Sequence, residues 1–526
     1  MDLWDSPDLN TYQQFYDPYV NELLTLRDGF GSSDGYPPSI NYFESDFPST
    51  VEVPRKTIGQ LLNTIINMPD GTQRRPIARV PAEVWADILR LSIPSRAEND
   101  RTPTLSPRKA PMQLTGITKG LRCIALTMPE LWVSISLVPT RDREFPSPET
   151  LKYWLRLSQN RPLVISVARS GYPGAGDLEY LFWKLVKWSS ERWECLCINP
   201  HSIYGDDDRW RRYAFPRLKS LTIQGGIQPS SLPVCFQSLL ETSESLEAFS
   251  WTCVQPVQFE RISELLLNTS LPLSRIQSLN LSIPLRASDA LHLLKDAPIL
   301  EILKFTALKG TRHPSVIMGT YPMQPINLPR LNSLSVNALK FEEEHGQAIR
   351  GSLNDFLPYI FTPNLQSLSI GYNDGQCSPF ATLQPFFTTT RSLSSLTFSY
   401  TPISSEELHG VLAHFTSTGT LKALAIKATP QVASPLSSRL IASMVPSPQC
   451  LVPTLQHFSF NVSALNASSP GTVTSMLQRR CDARPQHLRS VHFEDLSLVE
   501  CRASTPSEIS HIRELASRYR LVTTNN

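Results

Sequence analysis

The side chains best suited to chemistry in this chain lie in short contiguous runs, not in converging sets. Asp206-Asp207-Asp208-Arg209 and Glu342-Glu343-Glu344-His345 gather the donors that a hard cation or a general acid–base pair would need. Neither run has a second cluster elsewhere to complete it, so both read as solvated loops. Cys195 and Cys197 stand two apart and share one face of a predicted strand. No pair of cysteines has zinc-ligand spacing, and these two read as small reduced residues. Gly171, Gly174 and Gly176 cluster without the spacing of a phosphate cradle. Trp210-Arg211-Arg212-Tyr213 is a basic-aromatic patch offset by the three acids before it. Gly-x-x-x-x-Gly-Lys-Ser/Thr and His-Glu-x-x-His do not occur. The reading is a non-enzyme, with no catalytic residue, no metal and no cofactor.

What has to be positioned is therefore a surface, and a repeat supplies it. An apolar-x-x-apolar-x-apolar pattern begins at Leu218, Leu246, Ile276, Leu300, Leu331, Leu365, Leu393, Leu421, Leu455 and Leu488. A weaker copy starts at Trp193. From Trp193 to Leu488 the steps range from 24 to 34 residues and average about 29.5, the top of the leucine-rich-repeat range. One such unit cannot bury its apolar face alone, so the copies must stack on a continuous core. Helical periodicity between copies, as at Ser404-x-x-Glu407 followed by Leu408, Val411, Leu412 and Phe415, makes strand and helix alternate. Similar apolar periodicity precedes Ile276, through Phe259, Ile262, Leu265 and Leu266. The fold class expected is α/β: a small N-terminal all-α module, then an irregular leucine-rich-repeat solenoid with parallel strands, outer helices and a horseshoe curve. The solenoid spans 150–526, ending in a capping helix at 505–520 that opens Thr505-Pro506-x-Glu508.

Side chains alternate along a strand, so the residues flanking each motif's second apolar position form two exposed rows. One contains Ser220, Ala248, Ser278, Ile302, Ser333, Ser367, Ser395, Ala423, His457 and Ser490. The other contains Thr222, Ser250, Asn280, Lys304, Ser335, Ser369, Thr397, Ala425, Ser459 and His492. Twelve of the twenty are Ser or Thr and none is acidic, which describes a smooth neutral groove for a peptide or loop. The same composition also suits a tightly curved sheet with no ligand. From the second row, Thr222, Ser250, Asn280, Lys304, Ser335, Ser369, Thr397, Ser459 and His492 are the candidate target-binding residues. Asn373 alone fits the position of the repeat's usual asparagine, three after the last aliphatic. The repeats are irregular, with long convex insertions and 44 prolines in the chain, and variable Pro-rich loops are where specificity would sit.

Composition narrows the class further. At 526 residues and 41% hydrophobic content the chain can bury a large core. A net charge of +2 gives no bias toward nucleic acid or an anionic membrane. No apolar run approaches the ~18 residues of a membrane span. The start lacks a basic, then apolar, leader, and nine unpatterned cysteines suit a reducing compartment. A cytoplasmic or nuclear protein is expected, with neither nucleic acid nor membrane as partner. Residues 1–55 read as a disordered acidic-aromatic tail, or alternatively as a docking segment. Its first fifty residues carry nine acids against Arg27. Residues 56–75 read as a short helix and linker.

The section 76–137 differs from the repeats. Val80-Pro81-Ala82-Glu83-Val84 opens it, with Pro81 suited to a first helical turn and Val84, Ile88 and Leu91 on one helical face. Leu114, Ile117, Leu121, Ile124 and Ala125 continue it, and Pro129-Glu130-Leu131-Trp132 closes it. This section resembles an F-box, in the variant widespread in fungi. That variant runs leucine-proline-x-glutamate-aliphatic, a loop, valine-cysteine-arginine-x-tryptophan, isoleucine-alanine-leucine and proline-x-leucine-tryptophan. Both ends match; the middle departs, reading Ile117-Thr118-Lys119-Gly120-Leu121 with Leu121 in place of the tryptophan. The resemblance implies the substrate-recognition subunit of an SCF-type cullin-RING ubiquitin ligase. Its F-box would dock a Skp adaptor, and through it cullin, while the repeats hold an unknown target protein. Val80, Pro81, Glu83, Val84, Ile88 and Leu131 are the implied adaptor contacts, with Trp132 packing the module's end. The alternative is a non-ligase scaffold with a degenerate F-box.

Overall fold

The computed structural model describes residues 81–91, 111, 119–137, 146–167, 175–199, 207–225, 232–252, 271–309, 325–338, 353–372, 384–401, 403–428, 435–461, 471–483, 488–494 and 505–519. All belong to one compact unit, Leu61–Asn526. The expectations for 1–55, for 56–75, for the helix before Ile276, for Val80, for Asn373 and for the run at Glu342 lie outside the described residues.

Each apolar motif becomes a strand. β1 (Ser134–Leu137), β2 (Leu163–Val167), β3 (Trp193–Ile198), β4 (Ser220–Gln224), β5 (Ala248–Thr252) and β6 (Ser278–Ser282) lie side by side in chain order. The two-residue β7 (Leu285–Arg286) pairs with the far end of β8 (Ile302–Lys309), which continues the sheet. β9 (Ile326–Asn327) precedes β10 (Ser333–Ala338), and β11 (Ile360–Phe361) precedes β12 (Ser367–Tyr372). β9 and β11 pair with each other apart from the main sheet. β13 (Ser395–Ser399), β14 (Ala423–Lys427), β15 (His457–Asn461) and β16 (Ser490–Glu494) complete a sheet of 14 strands among the described residues. Every pairing in it is parallel, as crossovers through helices require. This is a leucine-rich-repeat-like solenoid.

Register holds the motifs in phase. Leu279, Leu303, Leu334, Leu368, Leu396 and Leu424 follow one another across six strands, all buried. Fully burying one such side chain contributes about 1.5–3 kcal/mol, so the row is a principal source of stacking energy. The helices that cover the buried face come from the crossovers, apart from two ahead of β1 and one after β16. They are α1 (Ala82–Leu91), α2 (Lys119–Leu126), α3 (Pro148–Leu157), α4 (Ala175–Ser189), α5 (Asp207–Trp210) and α6 (Leu232–Thr242) in the first half. α7 (Ala287–Leu294), α8 (Gln384–Thr389), α9 (Ser405–Thr418), α10 (Ser438–Ser443), α11 (Thr472–Asp482) and α12 (Thr505–Arg518) follow. The terminal helix packs on α11, with Ile512 and Leu515 buried and the Tyr519 hydroxyl bonded to Asp482.

One expectation is corrected here. The sheet starts at β1, inside the 76–137 section and ahead of residue 150, because Ser134–Leu137 pairs in register with β2. Five prolines also have a fixed place at the strand entries. Pro216, Pro298, Pro329, Pro363 and Pro453 each occupy the second position of the tight turn that delivers a strand. In these turns the amide of the motif's first apolar residue donates three residues back. Leu218 reaches Phe215 at 3.1 Å, Leu331 reaches Leu328 at 3.2 Å and Leu365 reaches Thr362 at 3.3 Å. Proline's fixed φ suits that position.

The residue just before the motif then bonds sideways to the preceding repeat. Arg192 donates to the Arg161 carbonyl, Ser245 to Pro216, Arg275 to Glu244, Asn364 to Pro329, Ser392 to Pro363 and Thr454 to Leu421, at 2.6 to 3.2 Å. Turn carbonyls at the sheet's edge thereby gain a partner from the next repeat.

Candidate functional site

Two surfaces carry the predicted contact residues. The first is α1. Its inner side, Ala86 and Leu89, is buried in the same core as the sheet, and Trp85 packs against it. Its outer side is apolar as well: Val84 is 45% exposed, Ile88 44% and Leu91 85%. Positions i, i+4 and i+7 form one stripe on a helix, so these three make a continuous apolar strip facing solvent. Pro81 and Glu83 are exposed beside it, and the Pro81 carbonyl accepts the Trp85 amide to start the helix. Arg90 bridges Asp87 at 2.7 Å and Glu130 at 2.9 Å, tying α1 to the 3-10 turn Pro129–Trp132. Glu130, then Asp87, raise the Arg90 pKa above its already high value. All three groups are well exposed, so the pairs orient the helix more than they stabilise it.

Leu131 and Trp132 do not join that strip. They are 1% and 0% exposed, which corrects Leu131 from a contact residue to a core residue. The Trp132 indole donates to the Ala125 carbonyl at 2.9 Å, and the Trp154 indole donates to the Trp132 carbonyl at 2.8 Å. The two rings meet edge to face with centroids 4.9 Å apart, which satisfies both polar N–H groups at a buried seam. Leu121, standing where the resembled pattern has tryptophan, is buried too.

The second surface is the open face of the sheet. The strands alternate buried and half-buried residues, so one face packs on the helices and the other meets solvent. Pairing aligns the two predicted rows and carries their register to β1, where Ser136 is buried. The first runs Ser134, Val164, Cys195, Ser220 and Ala248, then through Ser278, Ile302 and Ser333 to Ser490. The second runs through Ser136, Ser166, Cys197, Thr222, Ser250, Asn280, Lys304, Ser335, Ser369, Thr397, Ala425 and Ser459 to the backbone of His492. The candidate residues on it are therefore neighbours along one line, as the alternation requires. Asn280 donates to Ser250 at 3.1 Å and accepts from Ser282 at 3.3 Å. His457 shares a hydrogen bond with Ser490 at 2.7 Å.

Among the described residues, no group of three or more His, Cys, Asp or Glu side chains could hold a metal ion. No described helix is long and apolar enough to cross a membrane. Cys195 and Cys197 lie on the open face, half-buried. Sequence reading missed the asparagine that braces the last repeats. Asn461, fully buried, donates to the Ala428 carbonyl at 2.7 Å and accepts the Ala428 amide at 3.0 Å. It stands one residue after the last apolar position, not three.

No family model matches the sequence, and no curated protein matches it. Among solved structures, the chain is similar to the yeast Rad7 and Elc1 complex at 15% identity and a TM-score of 0.42. That match covers 82% of this chain and 92% of the other. It is also similar to the leucine-rich repeat-containing protein LegL7 from Legionella pneumophila, at 14% identity and a TM-score of 0.34, covering 73% of this chain and 98% of that one.

Proposed function

We propose that this chain is a two-ended protein adaptor, the substrate-recognition subunit of an SCF-type cullin-RING ubiquitin ligase in the cytoplasm or nucleus. The observation that carries the reading is the outward apolar strip of α1 in a segment with F-box-like ends. Val84, Ile88 and Leu91 are exposed although the same helix already buries a separate inner side. An apolar helix face left in water next to a well-packed core suits a partner helix or groove. A Skp adaptor would take that strip, with Pro81 and Glu83 at its start. The open face of the sheet would hold the target, and ubiquitin transfer would be left to other subunits by proximity.

Co-purification of the full chain with a Skp adaptor tests this. Wild type should retain the adaptor, and Ile88→Asp with Val84→Ser should lose it by at least tenfold without lowering Tm, since neither side chain is in the core. Failure of wild type to bind, or undiminished binding by the double variant, sinks the ligase reading. The non-ligase scaffold would then be favoured, consistent with the altered stretch Ile117–Leu121.

A further inference from the structure

Along both rows of the open face small side chains predominate, with the exposed His457 toward one end, and one point near the centre carries two long side chains on adjacent rows. Ile302 is 46% exposed at the centre of β8, and Lys304, two residues on, is exposed beside it. Their neighbours across the ladder are short: Ser278 and Ser333 flank Ile302, while Asn280 and Ser335 flank Lys304. Adjacent strands lie about 4.8 Å apart, so nothing on either side reaches as far out as these two side chains. A single exposed isoleucine on an arbitrary surface carries no message. Here it is the one large exposed aliphatic on the described rows, at the middle of the sheet, with the exposed cation Lys304 two residues on.

Charge sets the direction. Neither row contains a carboxylate, whereas Glu247 and Glu301 stand at the entry ends of β5 and β8, one residue before the first row. Along β8 the order is thus acid, apolar, cation. A carboxylate on a partner is repelled near Glu301 and attracted near Lys304. Residues i and i+2 of an extended chain lie about 6.8 Å apart on one side, the same spacing as Ile302 and Lys304.

We propose that Ile302 and Lys304 are the anchor of the target-binding face. They select an extended peptide segment that presents an apolar side chain and a carboxylate two residues apart. This rests on reading the open face as the target surface. The surrounding hydroxyls and Asn280 then serve as adaptable polar contacts around a central apolar anchor.

Panning a random linear dodecapeptide library on the full chain tests the idea, followed by anisotropy measurements with the selected peptides. Enrichment of an aliphatic or aromatic residue two positions from Asp or Glu is expected. Ile302→Ser should weaken binding about tenfold or more. Lys304→Glu should shift the selected residue from Asp or Glu to Lys or Arg. Panning that returns no binder, no such pair, or peptides unaffected by both substitutions overturns the proposal. Ser335→Arg, Ser369→Arg and Thr397→Arg separate it from the reading beneath it. If these block binding while the changes at 302 and 304 do not, the anchor alone fails. If none of the five matters, the open face is not the target surface. Adaptor binding by α1 is scored independently in both cases.

Discussion

Arg480 shows how a charged side chain can become part of a core without any counter-ion. It is 1% exposed, in the last turn of α11. Its Nε donates to the Met444 carbonyl at 2.9 Å, and Nη2 donates to Leu451 at 3.2 Å and Val452 at 3.0 Å, 3.5 Å from the Cys450 sulfur. Burial lowers its pKa from the usual arginine value, partly offset by Cys450. The guanidinium thereby pins the 444–452 turn, where Val452 adopts a positive φ of 49°. Arg480→Ala leaves the Met444 and Leu451 carbonyls only the weak Cys450 thiol donor, and Val452 only the Leu455 amide, and should cost about 3 kcal/mol, read from the urea midpoint at constant slope. Arg480→Lys should recover less than half, since a single ammonium cannot span separate acceptors as the planar fork does. An unchanged midpoint for Arg480→Ala would mean that the turn holds itself. Nothing in the sequence marks this residue. An arginine in a helix's last turn reads as solvated, and its partners are backbone carbonyls that leave no trace in residue types.

At the scale of elements, α9 is the helix whose sequence and structure agree at both ends. Ser404 accepts the Glu407 amide at 3.2 Å, and Glu407 accepts the Ser404 amide at 2.9 Å. At the other end Gly419 takes φ 63° and returns its amide to Phe415. Ser404→Ala should cost about 1 kcal/mol and Gly419→Ala a similar amount. The ends lie farther apart than direct coupling reaches, so the double variant should show the sum. A double-variant loss no larger than either single one would show that the helix frays as a unit. Such capping was legible because its residue types and spacing are local. The strands were legible for the same reason. The outward direction of Val84, Ile88 and Leu91 was not, because α1 carries a second apolar side in Trp85, Ala86 and Leu89. Periodicity finds both sides and cannot say which one meets the core. The turn prolines were visible as apolar-Pro-x-apolar directly before several motifs, yet their role depends on a hydrogen bond closed by the next strand.

Over the whole described unit, the helical module and the solenoid cannot be separated into independent pieces. One core contains Ala86, Leu89, Trp132 and Trp154 together with buried apolar residues from every strand of the main sheet. Trp132→Ala should therefore cost about 3–5 kcal/mol. It should lower the Tm of the full chain as followed by far-UV circular dichroism, and not only release a local segment. If only fluorescence near the module changes while the main transition stays put, the seam is a contact between separate units. The motif count and the parallel order were readable from 193 onward because each repeat repeats its own pattern. The start at β1 carries the same pattern, Trp132-x-x-Ile135-x-Leu137, but with tryptophan and isoleucine for the first two leucines and inside the section that resembles an F-box it reads as the end of that module.

The strict order of the sheet has a consequence for how the chain comes into being. Across the whole path every strand lies against the strands next to it in that path, and the intervening chain is usually about thirty residues. A polypeptide leaving the ribosome thus meets each partner soon after the previous one and waits for nothing at its far end. The Trp132–Trp154 seam is among the first places where distant-looking elements can close, and it presents a template edge before later repeats are made. Synthesis and folding can therefore advance in the same direction, with each new turn zipped onto a finished neighbour.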